Sequence, residues 1–586
     1  MVVKRKSSSK DKVLAKKVKA DSKFDGLFSI EKIKELCDEL DESAKFLNNI
    51  ALLLQQYDLV LPQLSGAAGK ELEDFIVLLR FLTVSILHVF EKLMVKEFFV
   101  ISKGIDESKL KVAKWLRLKY QFFCYDILLE FFSLDIEEQD NDLLNSFKID
   151  VLEIVMRLIK LESTYFAPNP NEPYFSLPLY KKLIIKLLTS GSHEGIQQNG
   201  VNDNYLVLEF YEQFFQKNWD LKFFFLSETC NILFKEEEEK EEKEEKKKVK
   251  DLQLIFSNFL VIMRNSIYKD YEIDSKQFFV TNPPSVIFKK NQFKINFEKT
   301  WLNFLNFPLT IQQYKQTLLI LHKRIILFFN NPTKLMDFVT ESYEIGFSNI
   351  IQRDEDDDED HEDSIIISIL ALNGLYELMK NYNLEYPQFY EKLYKILSNK
   401  NLLHLNYKSR FFRMLDLFLS STHLPAQLVA SFIKKLSKLS LTSPPSGIVI
   451  VIPFLYNLLK KHPSCMIMLH NTNHDESYKD PFIDTEEDPL KTNAIGSSLW
   501  ELQTLMSHYH PNVLSLAKIF GQPFNKYSYN LEDFLDWSYN NLLESELHKK
   551  FKGDISLEFE KFDKLLEKGK NDHEKSEISY MTGWQW

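Results

Sequence analysis

Four side chains in the C-terminal half have the types and spacing of a metal chelate. His462, Cys465, His470 and His474 form an H-x2-C-x4-H-x3-H run, and imidazole plus thiolate is zinc chemistry. Two features argue against it. His462-Pro463 reads as the close of a helix, and Cys465 lies in the apolar run CMIML, where a thiol serves as a small hydrophobe. His508 and His510, two residues apart, face different sides of a helix and read as a polar helix end, not a chelate. Gly66-Ala67-Ala68-Gly69-Lys70-Glu71 ends like a phosphate loop. It has two residues between its glycines where that loop needs four, and Glu71 stands where a magnesium-binding hydroxyl belongs. HExxH, GxSxG and GxGxxG do not occur. The expectation is a chain that is not an enzyme, with no cofactor, no metal and no small-molecule substrate.

The remaining chemistry is charge. Residues 401–463 carry Lys408, Arg410, Arg413, Lys434, Lys435, Lys438, Lys460 and Lys461 against the single acid Asp416, a balance of +7. Residues 475–488 follow with a balance of −6. On helices over 425–439 and 447–461, Leu428, Phe432, Leu436 and Leu439 make an apolar ridge, and Lys434, Lys435 and Lys438 leave from other faces. One reading is an ordinary solvated face. The functional reading is a phosphate-binding surface for structured RNA, with Arg410, Arg413, Lys434, Lys435, Lys438, Lys460 and Lys461 as contacts. At the N terminus, Lys4, Arg5 and Lys6, then Lys16, Lys17 and Lys19, make two basic clusters with the spacing of a bipartite nuclear import signal.

Helices must position these groups. The chain has 586 residues but only 15 glycines, about 2.6% against a usual ~7%, and hairpin- or phosphate-loop-rich folds would use more. Apolar residues recur at three- and four-residue spacing from Ile30, Ile33, Leu36, Cys37 and Leu40 onward. Comparable helical stretches are expected over 70–101, 110–133, 143–161, 178–190, 204–216, 221–234, 250–265, 309–330, 333–345, 364–382, 387–398, 408–420, 425–439, 447–461, 497–508, 511–519 and 530–549. The short run Phe278-Phe279-Val280 stays isolated, so no sheet is expected. The fold class is all-α, an α-solenoid of HEAT- or armadillo-like repeats.

The net charge of −11 separates into a tail of +7 over residues 1–19 and an acidic body, so a general nucleic-acid coat is excluded. The charge run Lys235–Lys250 reads as an extension of the preceding helix or as a disordered insertion. Arg353–Asp363, with nine acids in eleven residues, reads as a loop between helices. The four cysteines are scattered, as in a reducing compartment. The longest apolar stretch, 447–459, is 13 residues and contains Pro453, too short to span a membrane, and the charged N terminus lacks the apolar core of an export signal. Boundaries are expected at 1–23 for a basic tail, 24–300 for an N-terminal repeat region, 301–549 for a second helical domain and 550–586 for a C-terminal extension.

An ordered string of motifs runs from Tyr386 to Val513. It comprises Tyr386-Pro387-Gln388-Phe389-Tyr390, LYKIL, RFFRMLDLFLSSTHLPAQLVASFIKKLSKLSL, Pro444-Pro445, NLLKKHPSC, DPF, Ser497-Ser498-Leu499-Trp500-Glu501-Leu502 and HYHPNV. This string resembles the CCAAT-binding-factor domain of the nucleolar-complex family. Chain length and the C-terminal YNLEDFLDWSYNNLLESEL are similar to the small-subunit-assembly branch of that family. The resemblance implies a helical-repeat scaffold in the nucleolus, without catalytic activity, in a heterodimer with nucleolar protein fourteen. That pair would join other small-subunit processome proteins and support maturation of pre-18S rRNA and export of the 40S precursor. On this resemblance Phe389, Tyr390, Pro444, Pro445 and Trp500 fix helix packing and the partner groove. Three rivals are a large-subunit nucleolar-complex assembly factor, a CCAAT-binding-type transcription factor and a helical-repeat transport receptor.

Overall fold

The computed structural model describes residues 27–42, 46–64, 70–99, 107–134, 141–167, 172–191, 195–198, 201–231, 242–266, 277–351, 358–470, 479–550, 569–570 and 577–578. The basic N-terminal clusters, the 66–69 part of the glycine segment, His474 and most of 550–586 lie outside them.

Helices follow one another and each packs on its neighbours in sequence, the arrangement of a solenoid. In the N-terminal half, Ile30–Glu42 and Asn49–Leu64 pack on Lys70–Val95, which in turn packs on Asn141–Tyr165. Leu177–Thr189, Trp219–Asn231, Glu242–Asn265 and Lys290–Leu305 continue the array. Ile311–Ile320 starts at a capping box, with Thr310 Oγ1 accepting from the Gln313 amide and Gln313 Oε1 accepting from the Thr310 amide. Met336–Ile351 and Asp358–Tyr382 then lie against each other. Their close approach needs Gly346, where a Cβ would collide with Ser368 Oγ of the facing helix. One apolar core extends without a gap from Ile33 to Leu535. It is aromatic-rich in the middle, where Phe259 stacks on Phe304 at 4.0 Å and meets Trp301 edge-on at 5.1 Å.

The axis of the C-terminal part is Pro445–Lys461, whose residues from Ser446 to Leu459 are all buried. A helix apolar all round must be surrounded, and Lys408–Leu419, Ala426–Ser440, Pro511–Ala517 and Glu532–Leu535 surround it. Gly447 permits the contact of its first turn with the Leu403 backbone, since a Cβ there would sit 3.2 Å from Leu403 O.

Several expectations change. Asn49–Leu64 and Lys290–Leu305 are helices not read from the sequence: the first carries Pro62 near its end, and the second is too polar and aromatic to show a clean stripe. The expected helix over 530–549 divides into Glu532–Leu535 and Tyr539–His548. The described part of the 235–250 charge run opens the following helix, Glu242–Asn265, where Glu–Lys spacing at three and four residues supports helical turns. The acidic run ends inside a helix too, because Asp358–Tyr382 begins within it. There Asp363 pairs with Lys315 and Glu362 accepts from Asn401. Among the described residues two short antiparallel ribbons occur where no sheet was expected, Gly195–Gln198 with Val201–Asn204 and Gly569–Lys570 with Glu577–Ile578. No helix among the described residues is long and apolar enough to cross a membrane.

Candidate partner and nucleic-acid interface

The cations of 401–463 are brought together, but the protein's own acceptors meet most of them. Ala426–Ser440 turns Lys434 inward. Its Nζ lies 2.7 Å from Glu501 Oε1, with side-chain exposures of 2% and 1%, and donates to Ser498 O at 2.7 Å. Trp500 and Phe482 place ring faces 5.6 and 5.9 Å from the same ammonium, and Asp480 is 3.8 Å away. Lys435 and Lys438 both reach Asp484 at 2.9 Å. Burial pushes the Asp484 carboxyl up, but hydrogen bonds from Lys438 and Lys435 outweigh it and hold the group below its ordinary value.

The other candidates, Arg410 apart, are likewise engaged. Lys460 donates to Phe524 O at 2.6 Å, and Lys461 pairs with Asp416 at 2.7 Å. Arg413 grips Glu532 bidentately, Nε to Oε1 at 2.9 Å and Nη2 to Oε2 at 2.7 Å, which holds the Glu532 carboxyl below its ordinary value. Lys408 donates to Ser446 Oγ. Arg410 is half-buried beside His322. Burial, then Lys323 and Arg410, depress the His322 imidazole to about 4. The sequence segregation into +7 and −6 therefore resolves as complementarity. The described part of the acidic stretch folds back over the lysine helix, with Asp480 and Asp484 on Lys434, Lys435 and Lys438. The expected phosphate surface is corrected accordingly: Lys434 and Lys435 are buried, and of that helix's three lysines only Lys438 keeps about half its side chain in solvent.

The five motif residues divide in the same way. Phe389 is buried, with its ring 4.6 Å from Phe418 and 5.3 Å from Tyr390, and Tyr390 donates from its hydroxyl to Phe418 O at 3.2 Å. Pro444 is the buried N-cap and Pro445 the first residue of the central helix. These four hold packing. Trp500 covers Lys434 with one side and leaves about half its surface exposed.

The sequence motifs missed an outward face. Tyr539–His548 starts at Ser538, whose hydroxyl accepts from the Asn541 amide, and it buries Leu542. Tyr539, Leu543 and Leu547, spaced four apart, stand 55%, 63% and 82% exposed along one side. The spacing was visible in YNNLLESEL; its exposure, with no covering element among the described residues, was not. Asp533, Asp536 and Glu544 are exposed nearby in sequence, giving this end of the chain an acidic rim.

Other chemistry does not converge. His462 Nε2 bonds Leu419 O at 2.9 Å and Cys465 is buried, and among the described residues no three potential metal ligands cluster. His510 Nδ1 accepts from the Asn512 amide and caps Pro511–Ala517. A groove of about 390 Å³ is lined by Arg80, His88, Asp150, Glu153 and Arg157, and its charges are largely paired: Arg80 with Asp150 at 2.7 Å, Arg157 with Glu91 at 2.8 Å.

Comparison with known proteins agrees with this architecture. The profile of the CBF/Mak21 family matches residues 368–517, the segment built around the central helix. That of "Nucleolar complex protein 4-like, TPR repeats" matches residues 22–242, which identifies the N-terminal repeats as TPR-like. The chain is 42% identical over 582 residues to Nucleolar complex protein 4 of Saccharomyces cerevisiae, covering 95% of this chain and 99% of that protein. It is 30% identical over 462 residues to Nucleolar complex protein 4 homolog B of Xenopus laevis, covering 78% and 80%. It is 43% identical over 277 residues to the Gallus gallus homolog, covering 47% and 50%. These relatives are named for the nucleolus, which is the location of this chain within the nucleus. The chain belongs to the nucleolar complex protein 4 family.

Proposed function

We propose that this chain is a non-enzymatic scaffold of ribosome biogenesis in the small-subunit processome. It forms a heterodimer with nucleolar protein fourteen and serves 18S rRNA maturation and 40S assembly and export. The observation that carries the reading is the exposed apolar side of Tyr539–His548, which no described element covers, with Trp500 among the other exposed aromatics in the same half of the chain. Large exposed apolar side chains in register on one helix are the anchors of a helix-in-groove contact. The acidic residues near them, Asp533, Asp536 and Glu544, favour a partner segment carrying Lys or Arg. In this reading residues 24–300 form the repeat arm, 301–549 present the partner face, and Lys4, Arg5, Lys6, Lys16, Lys17 and Lys19 serve nuclear import.

Affinity purification of the tagged chain tests it. Nucleolar protein fourteen, other processome proteins and 18S precursors should co-purify, and the Leu543→Glu/Leu547→Glu variant should lose the first while keeping its thermal midpoint. Recovery of 27S-type precursors would instead assign the chain to the large subunit, and recovery of promoter DNA would make it a transcription factor.

A further inference from the structure

The acidic body contains a strongly basic helix far in sequence from the basic region 401–463. Glu107–Phe122 carries Lys109, Lys111, Lys114, Arg117 and Lys119 against the single acid Glu107. It is held rigidly. Ala113, Leu116 and Tyr120 are buried on its inner side. The Tyr120 hydroxyl donates to the buried Glu162 carboxylate at 2.7 Å, and its ring meets Phe90, Phe99 and Phe166 edge-on at 5.3 to 5.8 Å. Arg117 belongs to this anchoring, with Nε donating to Phe99 O at 3.0 Å and its guanidinium 5.1 Å over the Phe166 ring.

Among the described residues the outer side has no such partners. At helical spacing Lys111, Lys114 and Leu118 lie opposite the buried stripe, with Trp115 and Lys119 on its flank. Leu118 is 65% exposed and Trp115 half-buried. Among the described residues none of Lys111, Lys114 and Lys119 makes an ion pair, and the one acid of their helix, Glu107, stands one turn before Lys111. Three ammonium groups with no ion pair among the described residues thus lie within eight helical steps, about 12 Å, with the half-buried Trp115, one side of it packed on the core, between them.

We infer that this face binds a single-stranded RNA segment, with Lys111, Lys114 and Lys119 on successive phosphates and Trp115 stacked against a base. A basic track interleaved with an aromatic platform is the pattern of sequence-tolerant single-strand binding, whereas an acidic polypeptide would use the lysines and have no need of the indole. The inference rests on the proposed function only in taking RNA as the polyanion this nucleolar chain meets.

Fluorescence anisotropy of the purified full chain with a labelled single-stranded RNA tests it across a salt series. The Lys111→Ala/Lys114→Ala/Lys119→Ala variant should bind at least about tenfold more weakly, with the slope of log affinity against log salt shallower by about 2. Trp115→Ala should cost about tenfold, and Lys438→Ala should change nothing. No binding by the unaltered chain overturns the inference. So does loss with Lys438→Ala while the triple variant binds normally. Full activity of Trp115→Ala together with equal competition by polyglutamate would assign the face to an acidic protein segment and also overturn it. Failure here leaves the scaffold reading distinguishable, because the triple variant should still co-purify with nucleolar protein fourteen in either case.

Discussion

Two basic helices of this chain look alike in sequence and do opposite things with their charge. Ala426–Ser440 carries three lysines, and all three find carboxylates: Lys435 and Lys438 that of Asp484, from an acidic stretch some fifty residues downstream that returns over them, and Lys434 that of Glu501 beyond it. Glu107–Phe122 carries four lysines and an arginine; Lys111 and Lys114 are exposed and Lys119 half-buried, and none of the three makes an ion pair among the described residues. Local charge density therefore does not reveal whether a cation is available. Burial decides it. A lysine in the core must be paired or lose its charge, whereas a lysine opposite the buried stripe can stay solvated at little cost.

The strongest break of that comparison is at Lys434. Replacing it by Ala leaves Glu501, 1% exposed, as an uncompensated buried carboxylate, a change that should cost about 3–5 kcal/mol. Lys434→Met/Glu501→Leu removes both charges and should recover most of the loss in a denaturant titration, since an apolar pair of similar size is often neutral in such sites. If the double variant were as unstable as the single one, the hydrogen bond to Ser498 O and the packing under Trp500, not the ion pair, would hold this corner.

How much was legible beforehand follows the same division. The all-helical array was, because apolar spacing in helices such as Ala426–Ser440 is set by the face that must be buried. The hidden role of Glu501 was not: nothing in the order of Leu499-Trp500-Glu501-Leu502 shows that its carboxylate enters the core beneath Lys434. Lys111, Lys114 and Lys119 were equally visible as residues. Their availability depends on an absence of acids in space, which spacing along one helix does not encode. Lys290–Leu305 escaped because Phe293, Phe297, Trp301 and Phe304 fill the core from a helix whose intervening residues are polar.

A smaller effect separates the two regions by pH. Burial holds the His322 imidazole, beside Arg410, at about 4, while an unfolded histidine titrates near 6.5. The folded state then binds fewer protons, so this contribution is complete above pH ~6.5 and is lost progressively as pH falls toward 4. Allowing for partial solvent access it amounts to about 1–2 kcal/mol. Thermal midpoints measured between these limits should fall, and His322→Gln should flatten the curve. Asp484 acts in a lower window. Its depressed carboxyl gives stability that is present above the ordinary range near 4 and is lost below it. Asp484→Asn, freeing Lys435 and Lys438, should cost about 1 kcal/mol at neutral pH.

The smallest expected effect on stability is at Lys111, Lys114 and Lys119. They make no ion pair among the described residues, and alanine is a better helix former than lysine by a few tenths of a kcal/mol, so the triple alanine variant should stay within about 0.5 kcal/mol of the unaltered chain. Relieving the repulsion of like charges three residues apart pushes in the same direction, toward slight stabilisation at low salt that fades as salt rises. A loss of more than ~1 kcal/mol would mean that these ammonium groups are matched within the fold after all, as Lys434 is, and the contrast between the two helices would vanish. Unchanged stability leaves three cations kept on one helix side without structural benefit, which is the condition under which a surface is read as a contact for something outside the chain.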